Sequence, residues 1–348
     1  MQRREFLSGA LSLASAARLS GSQTAPKLGV DLFSLRQQGW DAHQFLDYCA
    51  KHGARVVHFS EIRFLGSLED DHVRKVGEHA RRLGVELEIG MRSICPTSTA
   101  FDPKQGTAEE QLLRVVRAAG IAGSKLVRAF LGNSNDRKTP GGIEARIEDT
   151  VKVLRAVRSR VMDAGMKVAI ENHSGDMQAR ELKELIVGAG TDFVGACFDS
   201  GNPCWTLEDP HLTLETLAPH VLTSHIRDSA LWDVEEGTAV RWTRTGEGNV
   251  EIGPLMRKYM ELCPGKTMSL EIIVTGPRVF GWRNPEFWKG YENVRAAEFA
   301  RFLGIAAKGR PLPGPAGGPK EQAAERERAD FEASLEWTRK YLGVQMRA

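Results

Sequence analysis

Long apolar runs are missing from this 348-residue chain. Beyond a weakly apolar stretch from Ser8 to Ala17, nothing approaches the roughly 18 uninterrupted apolar residues that a membrane-spanning helix needs, so no span is expected. A charge imbalance is missing too. Lys and Arg number 47 against 45 Asp and Glu, net +2, with no basic stripe, which argues against a nucleic-acid partner and for small ligands. Cysteine is scarce: Cys49, Cys95, Cys197, Cys204 and Cys263 are odd in number, scattered, and lack metal-binding spacing. They read as mostly buried thiols, although an exported chain could pair two of them. Nine histidines and this charge do not suit a multi-zinc nuclease. No glycine-rich phosphate turn follows the first expected strand, which disfavours a dinucleotide-binding, doubly wound sheet.

What is present begins with Met1-Gln-Arg-Arg-Glu-Phe-Leu7, the short apolar stretch, and the small-residue site Ala14-Ser-Ala16. Arginine pair, apolar stretch and cleavage site in that order read as a twin-arginine export signal with a spacer over 1–24, so a periplasmic protein is expected. From 25 to 307, short β-branched runs alternate with amphipathic segments. Strands are expected at Lys27–Asp31, Arg55–Phe59, Val85–Gly90, Lys125–Phe130, Lys167–Glu171, Phe193–Asp199, Val221–Ile226 and Met268–Ile273, with helices such as Asp41–His52, Asp70–Leu83, Ala108–Ala122 and Ile143–Ala164 between them. Eight strand–helix units imply an α/β fold of the (β/α)8 TIM-barrel type. Residues 308–320 form a Pro/Gly linker. Residues 321–348 form a charged helical extension with Phe331, Leu335, Trp337 and Leu342 as its apolar points, packed on the barrel or on a second subunit of a homo-oligomer.

In such a barrel the chemistry sits at the C-terminal strand ends. The apolar run Gly195-Ala-Cys-Phe stops on Asp199 and a Ser-Gly-Asn turn. Strand five ends on Glu171 and His173, strand seven carries His225, Arg227 and Asp228, and strand eight carries Glu271. Glu171, Asp199, His225 and Glu271 thus come from four consecutive strands whose spacing is about 4.8 Å, so they can converge at one mouth. Three carboxylates that close need a cation between them. One histidine with three carboxylates suits a single divalent ion, Mn²⁺ first, with Mg²⁺, Co²⁺ or Zn²⁺ as alternatives.

The segments Ala169-Ile-Glu-Asn-His173, Phe198-Asp-Ser-Gly-Asn202, Ser224-His-Ile-Arg-Asp228, Gly246-Glu-Gly-Asn-Val-Glu-Ile252 and Ser269-Leu-Glu-Ile272 resemble the xylose isomerase-like barrels of the sugar isomerase/epimerase group over about Lys27–Leu303. The resemblance implies that Glu171, Asp199, His225 and Glu271 hold one divalent metal. It also implies that Glu171 and Glu271 act as acid and base in moving a proton beside a sugar carbonyl through an enediolate. The chain departs from the group's pattern at Asn202 and Thr223, where relatives carry histidine, which alters contacts to substrate oxygens. Glu61, His173, Asn202 and Arg227 are candidate contacts to a sugar or keto-sugar; Arg92 and Arg128 are softer ones. A lyase or dehydratase acting on a keto-sugar, keto-glycoside or inosose uses the same enediolate. A sugar-binding barrel without catalysis is the third alternative.

Overall fold

Hydrophobic strand interiors and helix stripes pair up along the chain to close a parallel barrel. The computed structural model describes residues 27–314 and 318–343; the expected export signal lies outside the described residues. The barrel strands are β1 (Lys27–Asp31), β2 (Val56–Phe59), β3 (Glu86–Ser93), β4 (Leu126–Phe130), β5 (Lys167–Glu171), β6 (Val194–Asp199), β7 (Val221–Ile226) and, after the insertion of β8 (Asp228–Val234) and β9 (Gly237–Thr243), β10 (Thr267–Leu270). Each pairs in parallel with its neighbour, and β10 closes on β1 with Gly29 opposite Ser269. This is the expected (β/α)8 barrel, with strand boundaries within a few residues of those expected. A Cβ on Gly29 would sit 2.4 Å from Ser269 Oγ, so a side chain there would collide across the closing seam.

The helices start where their caps say they should. Asp41 and Thr107 form capping boxes with Gln44 and Glu110 at the heads of Ala42–Lys51 and Ala108–Ala122, and Gly84 and Gly123 end their helices in the left-handed conformation. Among the described residues no helix is long and apolar enough to cross a membrane, and all five cysteines are buried and unpaired.

Sequence periodicity did not bring out the antiparallel ribbon β8–β9, joined through Glu235-Glu236 and widened by β11 (Arg278–Phe280) into a three-stranded sheet. Asp228 anchors it: one carboxylate oxygen accepts from the backbone N–H groups of Gly246 and Gly248 at 2.8 and 3.0 Å, the other from Ser229 N–H. Asp228 is therefore the loop cap of the Gly246-Glu-Gly-Asn segment.

The C-terminal helix Ala323–Leu342 packs back on the barrel. Phe331 and Leu335 are buried, Trp337 is half-buried, Glu327 accepts from Gln37 N–H at 2.7 Å and pairs with Arg36 at 3.0 Å, and Arg244 pairs with Asp330. The segment leading to it lies along the ribbon, with Leu312 against Ala230, Trp232 and Ala239.

Candidate metal centre

Alternation along a parallel barrel strand sends every second side chain inward, and here an unusual share of those positions is polar. Asp31 from β1, His58 from β2, Glu88 from β3, Arg128 from β4, Glu171 from β5, Asp199 from β6, Thr223 and His225 from β7, and Glu271 just past β10 are all buried. One ligand atom from each of Glu171, Asp199, His225 and Glu271 falls within a single 4.8 Å cluster. Register produces it: Asp199 lies opposite His225, His225 opposite Ser269, and Glu271 two residues beyond, its N–H still bonded to Ile226 O at 3.0 Å.

Each member is held by its neighbours. Asn172 grips the backbone of Asp199 with both ends of its amide, at 2.9 Å each. Asp199 Oδ1 accepts from the N–H groups of Gly201 and Asn202, at 2.7 and 2.8 Å, which shapes the Ser-Gly-Asn turn, while Oδ2 faces the guanidinium of Arg227. The carboxylate at the end of the apolar run is both turn cap and site residue. Asn202 donates to Glu171 Oε1 at 3.1 Å, and Arg128 pairs with Glu171 Oε2. His225 presents Nδ1 to Glu171 and Glu271, at 3.0 and 3.4 Å, and Nε2 to His58 Nδ1 at 2.8 Å, with Asp31 Oδ2 at 3.3 Å.

The electrostatics call for a cation. Burial, with repulsion from Glu271 and, for Asp199, also from Glu171, drives Asp199 and Asp31 up to about 7, even with Arg227 beside the first and His225 beside the second. Burial also opposes ionisation of Glu171 and Glu271, but Arg128 holds Glu171 well below the usual carboxylate range, and Arg227 with His225 brings Glu271 to about 2. His225 is raised well above its usual value despite burial, because Asp31, Glu171 and Glu271 surround it. The cluster thus recruits protons and guanidinium groups to balance its carboxylates. Arg227 also pairs with Glu271 Oε2 at 3.0 Å, and buried His225 Nδ1 has the Glu171 and Glu271 carboxylates beside it without a hydrogen bond of good geometry. Donor set and spacing fit one divalent ion, which would take over contacts that Arg227 and His225 make in its place.

Two further groups share the spacing, Asp31–His58–His225 and Glu171–Cys197–His225. Burial pushes the Cys197 thiol up to about 12, so it stays protonated and ligates poorly. In the first group His58 and His225 already face each other, so Asp31 and His58 act as supports that orient His225.

Of the other expected residues, Arg227 and Asn202 lie in the cluster, and Arg128 points inward onto Glu171. His173 stacks on Phe130 at 3.9 Å with Nδ1 on Gly132 O, beside the cluster. Glu61 is not brought to it. It pairs with Arg63 and lines, with Arg92, a separate cavity of about 390 Å³. Asp31 and His58 were not singled out from sequence, although each ends or sits inside an apolar strand. The roof consists of Arg227 over Trp242 at 4.1 Å, Trp242 stacked on Trp205 at 4.4 Å, and Arg278 over Trp205 at 4.9 Å. In the loop after β10, Trp282 and Trp288 pack edge-on against Phe299, and Phe287 stacks on Tyr291, so these aromatics anchor the loop.

A closed parallel barrel with a histidine–tricarboxylate cluster at its C-terminal mouth defines a (β/α)8 barrel with a candidate metal site at its strand ends. The profile of the xylose isomerase-like TIM barrel family matches residues 46–289, and the chain belongs to that family. It is 23% identical over 185 residues to 3-oxo-isoapionate decarboxylase of Pectobacterium atrosepticum, a match that covers 53% of this chain. The chain spans about 60% of the length of the curated relatives it matches. D-psicose 3-epimerase from Clostridium cellulolyticum H10, solved with D-tagatose, superposes with a TM-score of 0.61 at 12% identity, covering 91% of this chain and 99% of that one. The zinc-bound IOLI protein superposes at 0.55 with 15% identity, over 90% and 98%. At these identities the superpositions show a shared fold.

Proposed function

We propose that this protein is a divalent-metal-dependent sugar isomerase or epimerase that moves a proton beside a carbonyl, with Glu171 and Glu271 as the acid/base pair. The observation behind this is the buried cluster of Glu171, Asp199, His225 and Glu271, whose ligand atoms all lie within 4.8 Å of one another. The ion, Mn²⁺ first, would be held by those four residues and supply the positive charge that acidifies a C–H between carbonyl and hydroxyl. The chain's own groups do the rest. Arg128 keeps Glu171 ionised and so able to accept a proton, and His225 and Arg227 do the same for Glu271 from a different strand. In this reading Asn202 and Arg227, which contact Glu171, Asp199 and Glu271, hold substrate oxygens, with His173 beside them. The roof of Trp242 and Trp205 keeps bulk water from the intermediate. On the export signal expected at Arg3-Arg4, the substrate is met outside the cytoplasm.

A lyase is the second reading, in which the enediolate either expels a β-oxygen or is itself formed by loss of CO₂ from a β-keto acid and then protonated; the likeness to a decarboxylase and two guanidinium groups inside the site favour it. Metal content is the first test, by mass spectrometry on wild type and Glu271→Gln, followed by incubation with ketoses in D₂O. About one ion per chain, weakened in the variant, together with deuterium in recovered sugar, supports the isomerase. Loss of water or CO₂ from the substrate supports the lyase. Failure to take up any added Mn²⁺ would sink both.

A further inference from the structure

A second cavity of about 920 Å³ lies on the same face of the barrel. Its floor includes Ile272 and Val274, which directly follow Glu271, and its walls come from the loop after β1, from β9, from the segment at 310–314 and from the C-terminal helix. Five arginines line it: Arg36, Arg241, Arg244, Arg310 and Arg326. Two are neutralised, Arg36 by Glu327 and Arg244 by Asp330. The other three have no carboxylate partner among the described residues.

Arg241 is the telling one. It is 4% exposed, and among the described residues its Nε makes no hydrogen bond and its guanidinium otherwise reaches only the carbonyl of Pro313. A buried guanidinium cannot lose its proton, so its charge has to be met by a ligand or remain a standing cost. Arg326 donates both terminal nitrogens to Pro319 O at 3.2 Å, and Arg310 reaches solvent. The one lining carboxylate without an arginine partner is exposed Glu247, which leaves an excess of positive charge in a space of ordinary ligand size. Arg36, Arg310 and Arg326 lie outside the segment matched by the family profile.

We propose that this cavity is an anion site that takes the carboxylate of an acidic sugar, a uronate or aldonate, with Arg241 as the buried anchor and Arg310 and Arg326 at its rim. Planar guanidinium forks match a carboxylate in paired hydrogen bonds, and the cavity is large enough for the sugar that carries it. The site stands on the cavity alone. Its assignment to the substrate of the neighbouring metal centre rests on the function proposed above.

The test is calorimetric titration of metal-free, full-length protein with D-glucuronate, D-glucose and inorganic phosphate, alongside a separate Mn²⁺ titration. Glucuronate binding that glucose does not share, weakened roughly tenfold or more in Arg241→Met, is expected. The rim double variant Arg310→Ala/Arg326→Ala, whose fold is checked by melting, should also weaken it, so the test survives if Arg241→Met does not fold. Equal binding of glucose and glucuronate, no effect of the rim variant, or preference for phosphate overturns the carboxylate site. Mn²⁺ uptake with arginine-independent glucuronate binding removes the anion site alone. Arginine-dependent binding in a protein that takes no Mn²⁺ removes the metal reading alone.

Discussion

Adding Mn²⁺ should raise the melting temperature, and Glu271→Gln should remove about half of that rise or more. In the ion-free protein the cluster is balanced by Arg128, Arg227, His225 and protons on buried acids, with Arg227 shared between Asp199 and Glu271. A ligand that binds only the folded state at about 100 times its dissociation constant stabilises by roughly 2.7 kcal/mol. A barrel of about 300 residues unfolds with an entropy near 2.1 cal/mol/K per residue, so the shift is about 4 °C. Glu271→Gln keeps the shape but removes one of the three ligand carboxylates. A loss of affinity of roughly 10- to 100-fold brings the same Mn²⁺ concentration to between about 1 and 10 times the dissociation constant, or about 0.4–1.4 kcal/mol and 1–2 °C. The assay is differential scanning fluorimetry over a Mn²⁺ series with Ca²⁺ as control, read together with equilibrium binding. Equal shifts in wild type and variant would refute the assignment of Glu271 to the ion, and no shift in either would refute the metal centre.

The Arg128–Glu171 pair is buried on both sides, so Arg128→Met should cost about 3–5 kcal/mol in urea unfolding, and Arg128→Met/Glu171→Gln should recover much of it; a double variant as unstable as the single would show that packing dominates. Glu208 is buried at the head of the helix Ala179–Ala189, accepts from Ala179 N–H, and is raised by burial to about 8 from 4.5. The folded state therefore keeps a proton that the unfolded chain loses between those values, and stability should fall as pH rises across that window. Melting curves of Glu208→Gln should show a shallower fall there, and an unchanged slope would contradict the shift. Phe331 belongs to the C-terminal helix and is fully buried, and Phe331→Ala should destabilise by about 3–5 kcal/mol if that helix is part of the cooperative fold. A melting temperature unmoved by the substitution would mean that the helix melts separately.

Much of the architecture was legible because a barrel strand buried on both faces has to be a short apolar run, and a polar residue at its end has no packing reason to be there. Lys-Val-Ala-Ile-Glu171 and Gly-Ala-Cys-Phe-Asp199 announce strand and site residue together. The same logic failed for Asp31 and His58. A single polar residue in an apolar run carries no sign of which inward side chain it will meet, and only barrel closure between β1 and β10 sets both beside His225. The ribbon β8–β9 was hidden because its residues follow directly on a strand already assigned, and its alternation looked like loop.

Sequence alone thus determined the order of strands and helices, the barrel class and the four residues that end strands five to eight, since all of these follow from local periodicity and from where it stops. Tertiary structure alone decided the pairing of Arg128 with Glu171, the roof of Trp242 and Trp205, the seat of the C-terminal helix and the arginine-lined cavity. Those depend on contacts between residues tens to hundreds of positions apart, and no local pattern records the register and curvature that bring them together.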